Sequence, residues 1–255
     1  MDKPTNHHDF KGLDKSVRIQ KIIDTAVELF HRKGYRSTTL DDLSRELGIT
    51  KAALYHYVSS KEKLLSIIYI QALENIFRNV YPISEQDLLP DEKLRRIIRN
   101  HIKEIIIQSL PMFSVFFSEE SQLPEEEFQK IRDEKKKYTK IIEEIIEDGI
   151  SKGIFRKVDP KLQAYAIIGM CNWVYKWYRP DHTRYTPDRI ADHFVVLLEA
   201  GYLKGKPGKA GARVSKKAWV PKENQSRSGV SVYTKMRAHC QGLTALIEEL
   251  EEGPH

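Results

Sequence analysis

An all-α fold is predicted by two observations. Apolar residues recur at three- and four-residue spacing from Val17 to about residue 203, and no convincing segment over that length alternates with period two. A third observation divides the chain: the early helices are short and turn on glycines, whereas the later ones are long and punctuated by Pro82, Pro90 and Pro111. The expected organisation is a leader over 1–15, an N-terminal three-helix unit over 16–76, a C-terminal helical domain over 77–203, and a basic extension over 204–255.

The first helix is amphipathic. Ile19, Ile22, Ile23, Ala26, Leu29 and Phe30 share one side, and the pattern stops at Lys33-Gly34-Tyr35. Leu40, Leu43 and Leu47 then mark one face of a second helix whose other face carries Asp42, Arg45 and Glu46, with Thr38 or Thr39 placed to cap its start. Gly48 follows Leu47 and supplies the left-handed conformation that ends a helix cheaply, and Ile49 can plug the corner. Thr50 caps the next helix, in which Leu54 and Val58 point inward and Lys51, Ala52, Tyr55, His56 and Tyr57 are left outside. Two short helices hinged at a glycine form a helix-turn-helix, and the exposed groups suit phosphates, base edges and thymine methyls of duplex DNA. An ordinary helical hairpin in a helical core has the same pattern, so a protein-interaction module with a purely structural helix-turn-helix is the competing reading. Downstream, Ser59 and Glu62 form an S-x-x-E capping box for a connector through Leu64, Leu65, Ile68 and Ala72.

The run ELFHRKGYRSTTLDDLSRELGITKAALYHYVSSKEKLL resembles the DNA-binding domain of TetR-family transcriptional regulators over about residues 16 to 76. The shared features are the G-Y-x-x-T-T approach to the second helix, the G-I-T turn, the L-Y-x-Y recognition helix and the S-K-E-x-L that follows; Val58 departs from the family's usual Phe. The resemblance implies phosphate contacts by Thr38, Thr39, Tyr57 and Lys61, and groove contacts by Thr50, Lys51, Ala52, Tyr55 and His56. It implies a homodimeric, ligand-released repressor acting on a palindromic operator in double-stranded DNA, with the C-terminal domain binding a small-molecule effector and dimerising.

Beyond the connector, Leu94, Ile97, Ile98, Ile102, Ile105 and Ile106 form one apolar face, followed by Phe113, Phe116 and Phe117. Phe128 to Ile146 mark a second long helix, ended by Gly149 or Gly153. Asp159-Pro160 and Thr186-Pro187 each place a cap before a proline at the first helical position, which predicts helices over about 160–179 and 187–202. The first of these is apolar on nearly every face and must be covered on more than one side, as a core helix or as one shared between a pocket and a dimer interface. Phe194, Val195, Leu197 and Leu198 add apolar surface for a four-helix interface.

Met170, Trp173 and Trp177, expected on one helical face, can line a cavity with Phe113, Phe116 and Phe117, or they are simply core. The stretch GMCNWVYKWYRPD resembles the acyl-CoA-responsive, FadR/KstR-like subgroup of the family, which includes regulators of fatty-acid and sterol-ring degradation. That resemblance implies an acyl-CoA thioester effector, its phosphates paired by Arg179, Lys176 or Arg184.

Composition narrows the function class. The 255 residues suffice for a sizeable core, and the formal charge of +6 suits a polyanionic partner, although acids nearly balance bases in the helix-turn-helix region. Cys171 and Cys240 have no metal-ligand spacing and are too few for a disulfide framework, so no metal and no cofactor is expected and the cytoplasm is the natural compartment. No apolar run is long enough to span a membrane. No Gly-rich phosphate loop, G-x-S-x-G or H-E-x-x-H occurs, which argues against an enzyme. From Lys204 to Arg237 ten Lys or Arg accompany the single acid Glu223, predicting a flexible basic arm that adds DNA affinity through counterion release. Helical spacing returns over Val232 to Glu252.

Overall fold

The computed structural model describes Phe10 and residues 12–181 and 184–204. The expected basic arm, the C-terminal helix and most of the leader lie outside the described residues. Among those described, every regular element is helical, and extended pairing is confined to an isolated antiparallel bridge between Phe155 and Leu203.

The helices are α1 (Lys15–Lys33), α2 (Leu40–Leu47), α3 (Lys51–Tyr55), α4 (Lys61–Ser84), α5 (Pro90–Asn100), α6 (Leu110–Ser118), α7 (Glu125–Ser151), α8 (Pro160–Asn172), α9 (Val174–Trp177) and α10 (Pro187–Tyr202). A π-helical segment, His101–Ile107, continues α5. The described residues form two compact units: those up to Glu74 together with Leu110–Asp133, and Asn75–Ser109 together with those from Glu134 to Lys204. Residues 110–133, expected with the C-terminal helices, therefore belong to the first unit.

In the first unit α1 packs on α2 and α6. Ile22, Ile23, Ala26, Leu29 and Phe30 of α1 are buried as their spacing requires. The α4 start differs from expectation by one residue, since Ser60 rather than Ser59 caps it, its hydroxyl accepting from the Lys63 N–H at 3.1 Å. Phe113 and Phe116 of α6 are buried and their rings meet edge to face at 5.7 Å, with Tyr69 of α4 set 4.7 Å from Phe116.

In the second unit the π segment contacts α8, α9 and α10. Leu94, Ile97, Ile98, Ile102, Ile105 and Ile106 are all buried, the apolar face read from the sequence. His101, at the start of the wide turn, is buried too: its Nδ1 lies 2.5 Å from the Tyr138 hydroxyl and its Nε2 2.7 Å from Asn172 Oδ1. Burial pushes the imidazole down to about 4, opposed by the Asn172 hydrogen bond, so it is neutral at pH 7. Asn172 Oδ1 only accepts, which places the single proton on Nε2 and leaves Nδ1 to accept from Tyr138. Burial raises the neighbouring Cys171 thiol to about 12, which keeps it protonated and inert. After α7, Gly153 takes the left-handed conformation, φ 70°. Gly149, still inside α7, has no room for a side chain because the buried Phe155 ring lies against its Cα.

The single helix expected over 160–179 is two pieces. α8 ends at Asn172, which is tied to His101, and α9 starts at Val174, with Trp173 between them at φ −58°, ψ −18° and its N–H still on the Gly169 carbonyl; Pro180 then disfavours helical geometry at Arg179, and α9 ends at Trp177.

Candidate nucleic-acid interface

The α2–α3 unit is built by local hydrogen bonds that its sequence specifies. Thr39 caps α2: its hydroxyl accepts from the Asp42 N–H at 3.1 Å, and Asp42 Oδ2 accepts from the Thr39 N–H at 3.0 Å. The Thr39 hydroxyl, which donates to Asp42 Oδ2 at 2.8 Å, and then the Thr39 N–H hold the Asp42 carboxyl below its ordinary value. Gly48 closes the helix at φ 66°, ψ 31°, and its N–H and that of Ile49 return to the last carbonyls of α2. Thr50 caps α3 by accepting from the Ala53 N–H at 3.1 Å. Leu43, Leu47, Leu54 and Val58 are buried beneath it.

On this base stand Lys51, Ala52, Tyr55 and His56, all exposed, with Thr39 and Thr50 exposed at the two helix starts. Tyr57 is half-buried: its hydroxyl accepts from Arg18 Nη1 at 3.0 Å, and the Phe10 ring meets it edge-on at 6.0 Å. It retains its own O–H to donate.

Two of the residues expected at phosphates are engaged within the fold. Thr38 is 1% exposed and its hydroxyl donates to the Gly34 carbonyl at 2.9 Å. The Lys61 ammonium donates to the carbonyls of Tyr35 and Thr38, each at 3.0 Å, and stands 4.3 Å from the centre of the Tyr35 ring. It fastens the α1–α2 loop to the start of α4 instead of facing outward. Two relevant residues carried no sequence signal. Asp41 pairs with Lys51 at 2.9 Å across the turn and raises its pKa, and Arg18 positions Tyr57. Neither contact lies within one helix, so spacing along a single helix does not reveal it.

The residues expected to bind the effector are drawn from both compact units. Phe113, Phe116 and Phe117 fall in the first compact unit, where they pack on one another as core. Met170, Trp173, Trp177 and Arg179 fall in the second. Trp173 is 61% and Trp177 41% exposed, the first at the junction of α8 and α9 and the second at the end of α9. Arg179 donates to the Tyr178 carbonyl, Lys176 lies over the Tyr175 ring and Arg184 bonds the Tyr185 hydroxyl.

Residues 22–67 match the family described as bacterial regulatory proteins, tetR family, and residues 87–202 match the tetracyclin repressor-like C-terminal domain. The HTH-type transcriptional repressor KstR2 of Mycobacterium tuberculosis is 25% identical over 195 residues, 72% of this chain and 92% of its own length. Among solved structures, the TetR family transcriptional regulator PfmR from Thermus thermophilus is 31% identical with a TM-score of 0.66, covering 70% of this chain and 96% of its own. AibR, solved in complex with isovaleryl coenzyme A and operator DNA, is likewise 31% identical with a TM-score of 0.66, over 71% of this chain and 97% of its own. The sequence motif, the capped α2–α3 geometry and these likenesses agree on a DNA-binding transcriptional regulator and not an enzyme: the chain belongs to the TetR family of bacterial transcriptional regulators.

Proposed function

We propose that the protein is a cytoplasmic homodimeric repressor that reads a palindromic operator and releases it on binding an acyl-CoA thioester. Residues 16–76 serve as the DNA reader and 77–203 as the effector-binding and dimerisation part. The observation that carries the proposal is the exposed face of α3, where Lys51, Ala52, Tyr55 and His56 stand open above buried Leu54 and Val58. Lys51 exchanges Asp41 for a phosphate, an exposed pair that is cheap to break. Tyr55 and His56 meet base edges, and Thr39, Thr50 and Tyr57 supply hydroxyls to the backbone.

A second copy is supported by the surface of α8, α9 and α10. Leu162, Tyr165, Trp173, Trp177, Val196 and Leu197 are between 41% and 67% exposed, more large apolar surface than a monomer leaves in water. Two copies placed by a two-fold axis would set their recognition helices about one DNA turn or a multiple apart, roughly 34–36 Å. Acyl-CoA is supported by the likeness to AibR and by the resemblance of residues 169–181 to the acyl-CoA-responsive subgroup.

The test is a gel shift on DNA from the protein's own promoter region, titrated with isovaleryl-, octanoyl- and palmitoyl-CoA. Specific retardation reversed by one thioester is the expected result; retardation that no thioester reverses would sink the effector assignment, and absent retardation at low salt the regulator role. Leu197→Glu, placing a charge in the apolar face, should yield monomers in sedimentation without loss of helicity; a variant that stays dimeric would move the interface elsewhere.

A further inference from the structure

The second compact unit contains a cleft of about 570 Å³ between the C-terminal half of α4 and the α5–π segment, a volume in the range of small-molecule sites. Pro82 and Ile83 give it an apolar floor, and four cations border it: Arg78, Arg96, Arg99 and Lys103. Arg78 is exposed and takes part in no ion pair among the described residues. The other three are held by acids: Arg96 by Glu92 at 2.9 Å, Arg99 by Asp192, and Lys103 by Asp188 at 2.6 Å. The side chains of Asp188 and Asp192 are more than half exposed, so these pairs orient the cations while contributing little that an incoming anion must overcome. Each guanidinium also keeps N–H groups beyond those its acid uses.

The cleft offers acceptors as well. Asn100 Nδ2 donates to the Asn79 carbonyl at 2.9 Å, which turns Oδ1 into a buried acceptor with no hydrogen-bond partner among the described residues. Pro82 has no N–H to return to the Arg78 carbonyl one turn earlier. Glu104 adds an exposed carboxylate at the rim. A bare polyanion would find this lining mixed; a nucleotide presents phosphates to the cations, and an amino group and hydroxyls to the acceptors.

We propose that this cleft binds the phosphate-bearing nucleotide end of the coenzyme A thioester, with Arg78 as the first cation it meets. This rests on the acyl-CoA reading and relocates the phosphates from Lys176, Arg179 and Arg184. Those three are each engaged with an adjacent aromatic residue or its carbonyl and do not line the cleft.

Calorimetric titration of the full chain with coenzyme A itself, at 50 and 200 mM salt, tests the assignment. Wild type should bind with an affinity that falls with salt, and Arg78→Glu should raise Kd about tenfold or more, the loss of a charge-assisted contact, with an unchanged melting temperature. Arg96→Gln should weaken binding in the same direction. Equal Kd values for wild type and both variants, or no coenzyme A binding at all, would overturn the cleft. Operator release by the thioesters separates this from the effector reading. Release that Arg78→Glu does not impair leaves the effector standing and removes the cleft, whereas Arg78-dependent coenzyme A binding without release by any thioester keeps the cleft and removes the effector.

Discussion

Between Leu40 and Val58 the large apolar side chains are drawn inward and Tyr55 alone among them stands open, while the polar residues face out. Between Pro160 and Tyr202 the balance is reversed, with two tryptophans, a leucine on each of α8 and α10, and Val196 in solvent. The two regions also hold their shape differently. The first is closed by bonds three or four residues long, at Thr39, Gly48 and Thr50; the second depends on distant polar partners, Asn172 on His101 and Glu199 on Arg95 at 2.7 Å. A surface meant for DNA can be small and locally specified, because charge and hydroxyls carry it. A surface suited to another protein chain is apolar and has to be framed by the rest of the unit.

The largest effect should come from removing the support under the reader. Leu54 is completely buried, and Leu54→Ala is expected to cost about 2–5 kcal/mol in urea unfolding and to abolish operator retardation. A loss below about 1 kcal/mol would mean that α3 is not seated on its neighbours as described.

Next is the polar pin of the second region. His101 has a pKa lowered to about 4 in the folded chain, so the unfolded chain takes up its proton first as pH falls. Stability from this residue is full above about pH 6.5, declines as pH falls toward 4 by about 3 kcal/mol, and is flat below that. Melting temperatures measured from pH 7 to 4 should show this slope, and His101→Gln should flatten it; a slope retained in the variant assigns the acid sensitivity to other groups.

The same contrast explains what the sequence revealed. Gly48, a threonine cap at 38 or 39 and the Thr50 cap write their geometry into neighbouring positions, so the helix-turn-helix and its exposed face were legible, and the family motif includes those residues; that Thr39 closes a box with Asp42 is shown only by the structure. Thr38 and Lys61 were not, because their partners lie across a loop, and a hydroxyl or ammonium that suits a phosphate suits a backbone carbonyl equally well. Nor was the end of α8 at Asn172, whose side chain is tied to His101 seventy-one positions earlier. The cleft cations carried no shared signal, because Arg78 stands on α4 while Arg96, Arg99 and Lys103 stand on the polar side of the α5–π segment.

A smaller effect sharpens the local half of the comparison. Thr39→Ala removes the α2 cap and should cost about 1 kcal/mol, measured by urea unfolding, whereas Thr39→Ser should restore most of it. If alanine and serine behave alike, α2 is held by packing alone.

The least effect on stability belongs to the outward face. Tyr55 is 47% exposed, so Tyr55→Ala should change unfolding free energy by no more than about 0.5 kcal/mol. Its operator affinity should nevertheless fall about tenfold, the loss of a single base-edge or backbone contact in each half-site. Set beside Leu54→Ala one position earlier, the pair separates what α3 does for the fold from what it does for DNA. Leu54 should lose stability and binding together, and Tyr55 binding alone. Should Tyr55→Ala destabilise as much as Leu54→Ala, the ring would be part of the reader's core, and the DNA-facing surface would have to be rebuilt around Lys51 and His56.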